Sequence, residues 1–164
     1  MKISRQNFIY TLGRVRQQAH AFLEEEMRRE GVRNIAPSYG DVFVIVTVKG
    51  PMPMKDIARH TYKDKSTITG VVKSLEKHGY LKRVKDPSDG RASLISPTTK
   101  ARKVMDRFVV ISRRMGEKLF NGFSPEEMGT LFEMLERIIG NMKRSRVSAR
   151  DKKQVTPGGD HGQV

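Results

Sequence analysis

Apolar residues recur at three- and four-residue steps in several stretches of the chain, the period of amphipathic helices. Over residues 4–30 the stripe is Phe8, Leu12, Val15, Ala19, Leu23 and Met27, and Gly31 ends it. A helix of that length would reach ~40 Å at ~1.5 Å per residue. It serves either as an ordinary core helix or as one packed partly on something outside the core. From residue 98 to 120 the stripe is Val104, Met105, Phe108, Ile111, Met115 and Leu119. The next helix opens on Ser124, Pro125 and Glu127, an N-cap, an N1 proline and a capping-box glutamate, with Phe123 and Met128 spaced for a hydrophobic staple. Its stripe is Met128, Leu131, Phe132, Leu135, Ile138, Ile139 and Met142. The methionines suit core packing or the lining of a ligand cleft.

Between the long helices the pattern shortens. Residues 42–48, VFVIVTV, are β-branched and nearly continuous, which by propensity is a buried strand. Burial at the centre of a small helical domain overrides propensity, and favours a helix over residues 38–49. Gly50, Pro51 and Pro53 break the chain, and MKDIARH then buries Met54, Ile57 and Ala58 on a short helix. After a connector at 61–64 comes DKSTITGVVKSLEKHGYL, residues 64–81. Asp64 is an N-cap, and Gly79 stands where a left-handed residue ends a helix, with Leu75 and Tyr80 as the apolar pair of a Schellman ending.

Two short helices joined by a small turn form a helix-turn-helix, whose second helix is offered to the major groove of DNA. In that helix Ile68, Val71, Val72 and Leu75 share one face, and Lys65, Ser66, Thr69, Gly70 and Lys73 the other. Short side chains in front with cations behind suit close approach to a duplex. Gly70 costs a helix about 1 kcal/mol relative to alanine. Either the backbone approaches DNA there, or the glycine is tolerated or packed under a neighbour. Residues 81–96, LKRVKDPSDGRASLIS, read as two extended stretches around a projecting tip, a hairpin wing. Arg91 at its tip is placed for a narrow minor groove, with Asp89 to orient it. Taken alone, Asp89 and Arg91 would be a solvated surface pair of little weight.

Composition sharpens this picture. The 164 residues carry 32 Lys and Arg against 18 Asp and Glu, a net +14, which suits nucleic acid or an anionic membrane surface. Residues 49–103 hold 14 basic against 5 acidic residues, most of the net charge in a third of the chain. That asymmetry favours an electrostatic footprint on nucleic acid. The absence of cysteine excludes disulfides and thiolate metal sites. No stretch is apolar over the ~20 residues a membrane span needs, and the N-terminus lacks a signal-peptide core, so a cytoplasmic protein with no membrane partner is expected. His20, His60, His78 and His161 show no metal spacing, and no cofactor is expected. Paired carboxylates in an apolar setting, a phosphate-cradling glycine loop and a nucleophile motif are all missing, which argues against an enzyme. From Lys143 the chain turns polar, basic and glycine-rich, and disorder is expected over 145–164.

MKDIARH, DKSTITGVVKSLEKHGYL, and DPSDGR followed by SLISPTTKAR together resemble the MarR family of bacterial winged helix-turn-helix regulators. The resemblance covers residues 38–102, with flanking helices that agree in length and order. It implies a mainly α fold with a small β-hairpin wing: one domain over 1–144, its winged helix-turn-helix at 38–97, and dimerisation helices at 4–30 and 98–144. It further implies a homodimer gripping a palindromic operator in double-stranded DNA, and a small-molecule effector seated between the dimer helices and the winged motif. By position Ser66, Thr67, Thr69 and Lys73 would face bases and phosphates, and Asp89 and Arg91 match the wing pair. Gly90 departs from the basic residue common there, and Pro97 from the usual leucine. Without cysteine, the peroxide-sensing mechanism of one branch is ruled out. The resulting expectation is a dimeric, sequence-specific repressor relieved by a ligand. The alternative is a basic architectural protein that coats DNA without sequence preference or ligand response.

Overall fold

The β-branched run VFVIVTV is helical, with every side chain but that of Val48 at least partly buried. In the computed structural model, which describes residues 4–90 and 92–151 with side chains as far as Met142, helix α2 (Gly40–Lys49) buries Val42, Phe43, Val46 and Thr47. Its surroundings come from α3 (Met54–Thr61), α4 (Lys65–Lys77), the strand β2 (Ser93–Pro97), which pairs with β1 (Leu81–Lys85), and α5 (Thr99–Leu119). The Thr47 hydroxyl donates to the Phe43 carbonyl at 2.7 Å, so the one buried polar side chain of α2 is satisfied inside the helix. The expected start at Ser38 is corrected: Pro37–Tyr39 form a 3-10 turn, and the α-helix begins at Gly40.

Helix α1 (Phe8–Arg29) starts four residues later than the pattern suggested and runs about 33 Å. Only its last turns reach the core. Met27 is buried and Leu23 packs against the cluster, whereas Leu12 and Val15 are exposed. The C-terminus is held by polar contacts that hydrophobic periodicity does not announce. Arg114 Nη1 of α5 donates to Glu26 Oε2 at 2.8 Å and to Glu30 Oε1 at 2.7 Å, and Arg29 reaches Glu26 Oε1 at 2.7 Å. Glu26 is only 2% exposed, so these guanidinium groups compensate a carboxylate removed from water. Arg107 Nη1 donates to the Glu30 and Gly31 carbonyls, which places a cation at the negative end of α1.

The two strands pair antiparallel from Leu81↔Pro97 to Lys85↔Ser93, the expected hairpin. A further bridge is new: Met52 and Ile95 exchange both backbone hydrogen bonds, at 3.0 and 2.9 Å. Pro97 closes β2 without displacing the next helix. Thr98 caps α5, its hydroxyl accepting from the Ala101 amide and donating to the Gly79 carbonyl. The result is a mainly helical winged helix-turn-helix with one two-stranded wing.

Backbone contacts group the chain into two compact units, the first ending at Leu119 and the second beginning at Phe120. Within the second, α6 (Pro125–Asp151) begins with the expected reciprocal cap: Glu127 Oε2 accepts from the Ser124 amide at 2.8 Å, and Ser124 Oγ from the Glu127 amide at 3.2 Å. Phe120 packs edge-on against Phe123 and Phe132. None of the described α6 side chains is buried within this chain, and Phe132, Ile139 and Met142 are exposed. The helix continues to Asp151, past the expected tail boundary at 145, since no proline or glycine interrupts it there. Residues 152–164 of that expected tail lie outside the described residues. No described helix is long and apolar enough to cross a membrane.

The hydrogen bond from Arg114 is the leading cause that holds the Glu26 carboxyl below the ordinary carboxylate range. A depressed folded-state pKa stabilises the protein above the unfolded value of about 4.5, and this contribution is lost as pH falls through the folded value. Glu26→Gln should therefore lower the melting temperature at pH 7. Circular-dichroism melts should show the gap to the parent closing as pH drops below about 4.5; a gap independent of pH would refute the linkage.

Candidate nucleic-acid interface

Helix α4 is fixed at both ends by groups within a few residues of each terminus. Asp64 has extended backbone angles, and its Oδ1 accepts from the Thr67 amide at 2.8 Å. The Ser66 hydroxyl donates to the same oxygen and the Thr67 hydroxyl to Oδ2, at 2.5 and 2.7 Å. These donors, Ser66 foremost, hold the Asp64 carboxyl well below its usual range. At the other end Gly79 takes φ +73°, Tyr80 N donates to the Leu75 carbonyl, and Gly79 N to that of Glu76. Both bonds of the expected Schellman ending are present, and Leu75 and Tyr80 are buried.

Between these caps the predicted division of faces holds. Ile68, Val71, Val72 and Leu75 are buried, while Lys65, Ser66, Thr67, Thr69, Gly70 and Lys73 are all exposed. A Cβ added at Gly70 would meet nothing within 4 Å, so the glycine is not packed under a neighbour. One detail departs from the simple picture of outward donors. Ser66 and Thr67 donate to Asp64, and Thr69 to the Lys65 carbonyl at 2.7 Å. Their protons stabilise the helix while their oxygen lone pairs remain available. The donors on this face are then Lys65, Lys73 and the amides at the positive end of α4.

Periodicity alone did not single out two neighbours of this face. Tyr62, 85% exposed, takes a left-handed conformation at φ +53°, uncommon for a bulky residue, immediately before the recognition helix. Its signal was an aromatic residue in a polar turn. Lys63 reaches back from the same turn to α2, bonding Asp41 Oδ2 and, at 3.3 Å, the Ser38 carbonyl.

The wing follows directly. Asp86 organises its tip by accepting from the Ser88 amide and hydroxyl, at 2.9 and 2.7 Å, which keeps its carboxyl below the usual range. Ala92 N donates to the Asp89 carbonyl and Asp86 N to that of Ala92, so the turn brings residues 89 and 92 together. Asp89 and Gly90 are exposed; Arg91, the other half of the expected pair, lies outside the described residues. On β1, Lys82 and Lys85 are exposed and Arg83 pairs with Glu76 of α4 at 3.1 Å, tying wing to helix.

Behind this surface a cavity of about 280 Å³ opens between α1, α2 and α5, with Met27, Gly40, Asp41, Val44, Phe108 and Ser112 in its wall. Among the described residues no cluster of three or more His, Asp or Glu is arranged to hold a metal ion.

The sequence pattern of the MarR family matches residues 41–93, from α2 into the wing. YkoM of Bacillus subtilis, an uncharacterized HTH-type transcriptional regulator, is 25% identical over 114 residues, 70% of this chain and 74% of its own length. YcgE of the same organism, likewise uncharacterized, is 32% identical over 100 residues, 60% of this chain and 64% of its own. A probable transcriptional regulator from Pseudomonas aeruginosa shares the fold with a TM-score of 0.71 and 27% identity, over 80% of this chain and 96% of that one. Together these matches support a MarR-family winged helix-turn-helix regulator.

Two further solved structures share the MarR fold. MepR of Staphylococcus aureus, in a DNA complex, has a TM-score of 0.74 with 18% identity, over 85% of this chain and 99% of that one. PcaV of Streptomyces coelicolor, in complex with its natural ligand, has a TM-score of 0.69 with 24% identity, over 85% and 97%. At such identities the likeness is one of fold. The family match and the relatives, all transcriptional regulators, support a DNA-binding regulator rather than an enzyme.

Gly70 yields a test with two opposite signs. Alanine there removes the helix cost of glycine and should raise unfolding free energy by about 1 kcal/mol. It also projects a methyl group outward, so affinity for a specific duplex should fall. Urea denaturation and mobility-shift titration on the same sample measure both; unchanged DNA affinity would return Gly70 to a merely tolerated residue.

Proposed function

We propose that the chain is a homodimeric, sequence-specific repressor of the cytoplasm that grips a palindromic operator and releases it when a small molecule binds. The single observation that carries the DNA reading is the exposed outer face of α4, capped at both ends and flanked by the wing. Lys65, Ser66, Thr67, Thr69, Gly70 and Lys73 stand together on that face, at the centre of the basic stretch 49–103. Asp89 and Arg91 are assigned to the wing's minor-groove contact, with Asp89 orienting the arginine. Tyr62 joins the interface as a neighbour of the helix N-terminus.

Dimerisation is assigned to α1, α5 and α6. The exposed Leu12, Val15, Leu119, Phe132, Ile139 and Met142 support it, since an apolar stripe left open on long helices calls for a partner. A dimer sets two α4 helices on half-sites about one helical turn, ~34 Å, apart. The effector is assigned to the cavity between α1, α2 and α5, where an occupant that favours a different spacing of the two α4 helices weakens binding. PcaV, crystallised with its natural ligand on the same fold, supports a ligand site of some kind.

A mobility-shift titration against the chain's own promoter and a random duplex, at one salt concentration, tests the reading. Preference for the promoter is expected, while equal affinity would favour an architectural DNA-coating protein. Thr69→Ala and Arg91→Ala should each weaken promoter binding by about 1–3 kcal/mol with unchanged circular dichroism. Affinity should also fall steeply with added salt. Undiminished binding by both variants would remove α4 and the wing as the reading surface.

A further inference from the structure

The wall of the cavity between α1, α2 and α5 is apolar except for Asp41 and the Ser112 hydroxyl, and Asp41 is the one charged side chain among the described lining residues. A carboxylate ligand would meet a like charge there and find no guanidinium or ammonium in the wall. An ammonium would meet its complement. Asp41 is already committed on two sides: Oδ1 accepts from the Val42 amide at 2.8 Å, and Oδ2 pairs with Lys63. The Lys63 ammonium thus occupies the position on Asp41 that a ligand cation would seek.

Lys63 is also the residue before Asp64, the cap of the recognition helix. Its contacts with Asp41 and the Ser38 carbonyl, 22 and 25 residues away, fasten the turn of the helix-turn-helix to α2. We propose that the cavity takes an organic cation, a compact apolar body of one or two rings bearing a protonated amine, which pairs with Asp41 in competition with Lys63. This rests on the effector assignment above and adds the ligand's chemistry and its route to DNA. Pairing of the ligand with Asp41 releases Lys63, the turn before α4 loses its anchor, and operator affinity drops. Linkage requires the reciprocal effect: removing Lys63 must strengthen binding of the amine.

The test uses the full chain and three probes of one shape: 2-naphthylmethylamine, 2-naphthylmethanol and 2-naphthoate. Binding is measured by calorimetry, and operator affinity in the presence of each by mobility shift. The amine should bind about tenfold or more tighter than the alcohol and the carboxylate, the increment of a charge-assisted hydrogen bond, and should lower operator affinity. Asp41→Asn should bring the amine down to the level of the alcohol. Lys63→Met should tighten the amine and abolish its effect on operator binding, with melting curves confirming that both variants fold. Carboxylate binding at or above the level of the amine, an unchanged amine affinity in Asp41→Asn, or an unchanged one in Lys63→Met would each overturn the proposal. Equal binding of all three probes overturns the cation while leaving the cavity a ligand site; no binding by any of them overturns the effector assignment itself.

Discussion

The packing of one ring, Phe43, holds the reading head together. Phe43 is fully buried, stacked on Phe108 of α5 at 4.5 Å and met edge-on by Tyr80 at 5.8 Å. Such pairs contribute about 0.5–1.5 kcal/mol each beyond the area they bury. Their greater effect is positional. Tyr80 ends the recognition helix, its hydroxyl donates to the Arg33 carbonyl, and Lys100 lies over its ring at 4.3 Å. Through Phe43, therefore, the C-terminal end of α4 is set against α2, α5 and the segment after α1. The N-terminal end is set separately, by Lys63 on Asp41.

What was legible in the sequence follows from how far apart the interacting groups lie. The Asp64 cap, Leu75 with Tyr80, and Ser124 with Glu127 act over three to five positions; the first was read from residue type and place, the other two from spacing. The hairpin followed from its turn residues in the same way. Helix α2 was misstated by its own composition, because β-branched side chains report a local preference and burial of Val42, Phe43, Val46 and Thr47 in the core decided the outcome. The contacts that remained hidden join distant segments: Arg114 to Glu26, 88 residues apart, Tyr80 to Arg33, and Met52 to Ile95. No periodicity encodes such pairs, since nothing near Glu26 in the chain names its partner.

The candidate site divides along the same line. In the outward set on α4, Lys65, Ser66, Thr69, Gly70 and Lys73 were legible from helical period, and Thr67 only from the family resemblance. The direction of its hydroxyl protons was not, because Ser66, Thr67 and Thr69 each had two uses, and the local backbone and the cap took the donors. The role of Lys63 was equally hidden. In sequence it is one cation among many in a basic stretch, and only the fold brings it to Asp41.

The short bridge at Met52 also governs how the wing meets other chains. Met52 lies along β2 as the beginning of a third strand, and the backbone groups of Pro51 and Pro53 on either side point to the outer edge, where neither has an amide hydrogen to offer a further strand. On β1, the exposed Lys82 and Lys85 set like charges against any incoming copy of the same segment. A two-stranded sheet would otherwise be a template for strand addition and aggregation. Here one side is terminated by proline and the other guarded by charge, which lets a chain rich in exposed apolar helix surface keep its β edges out of self-association.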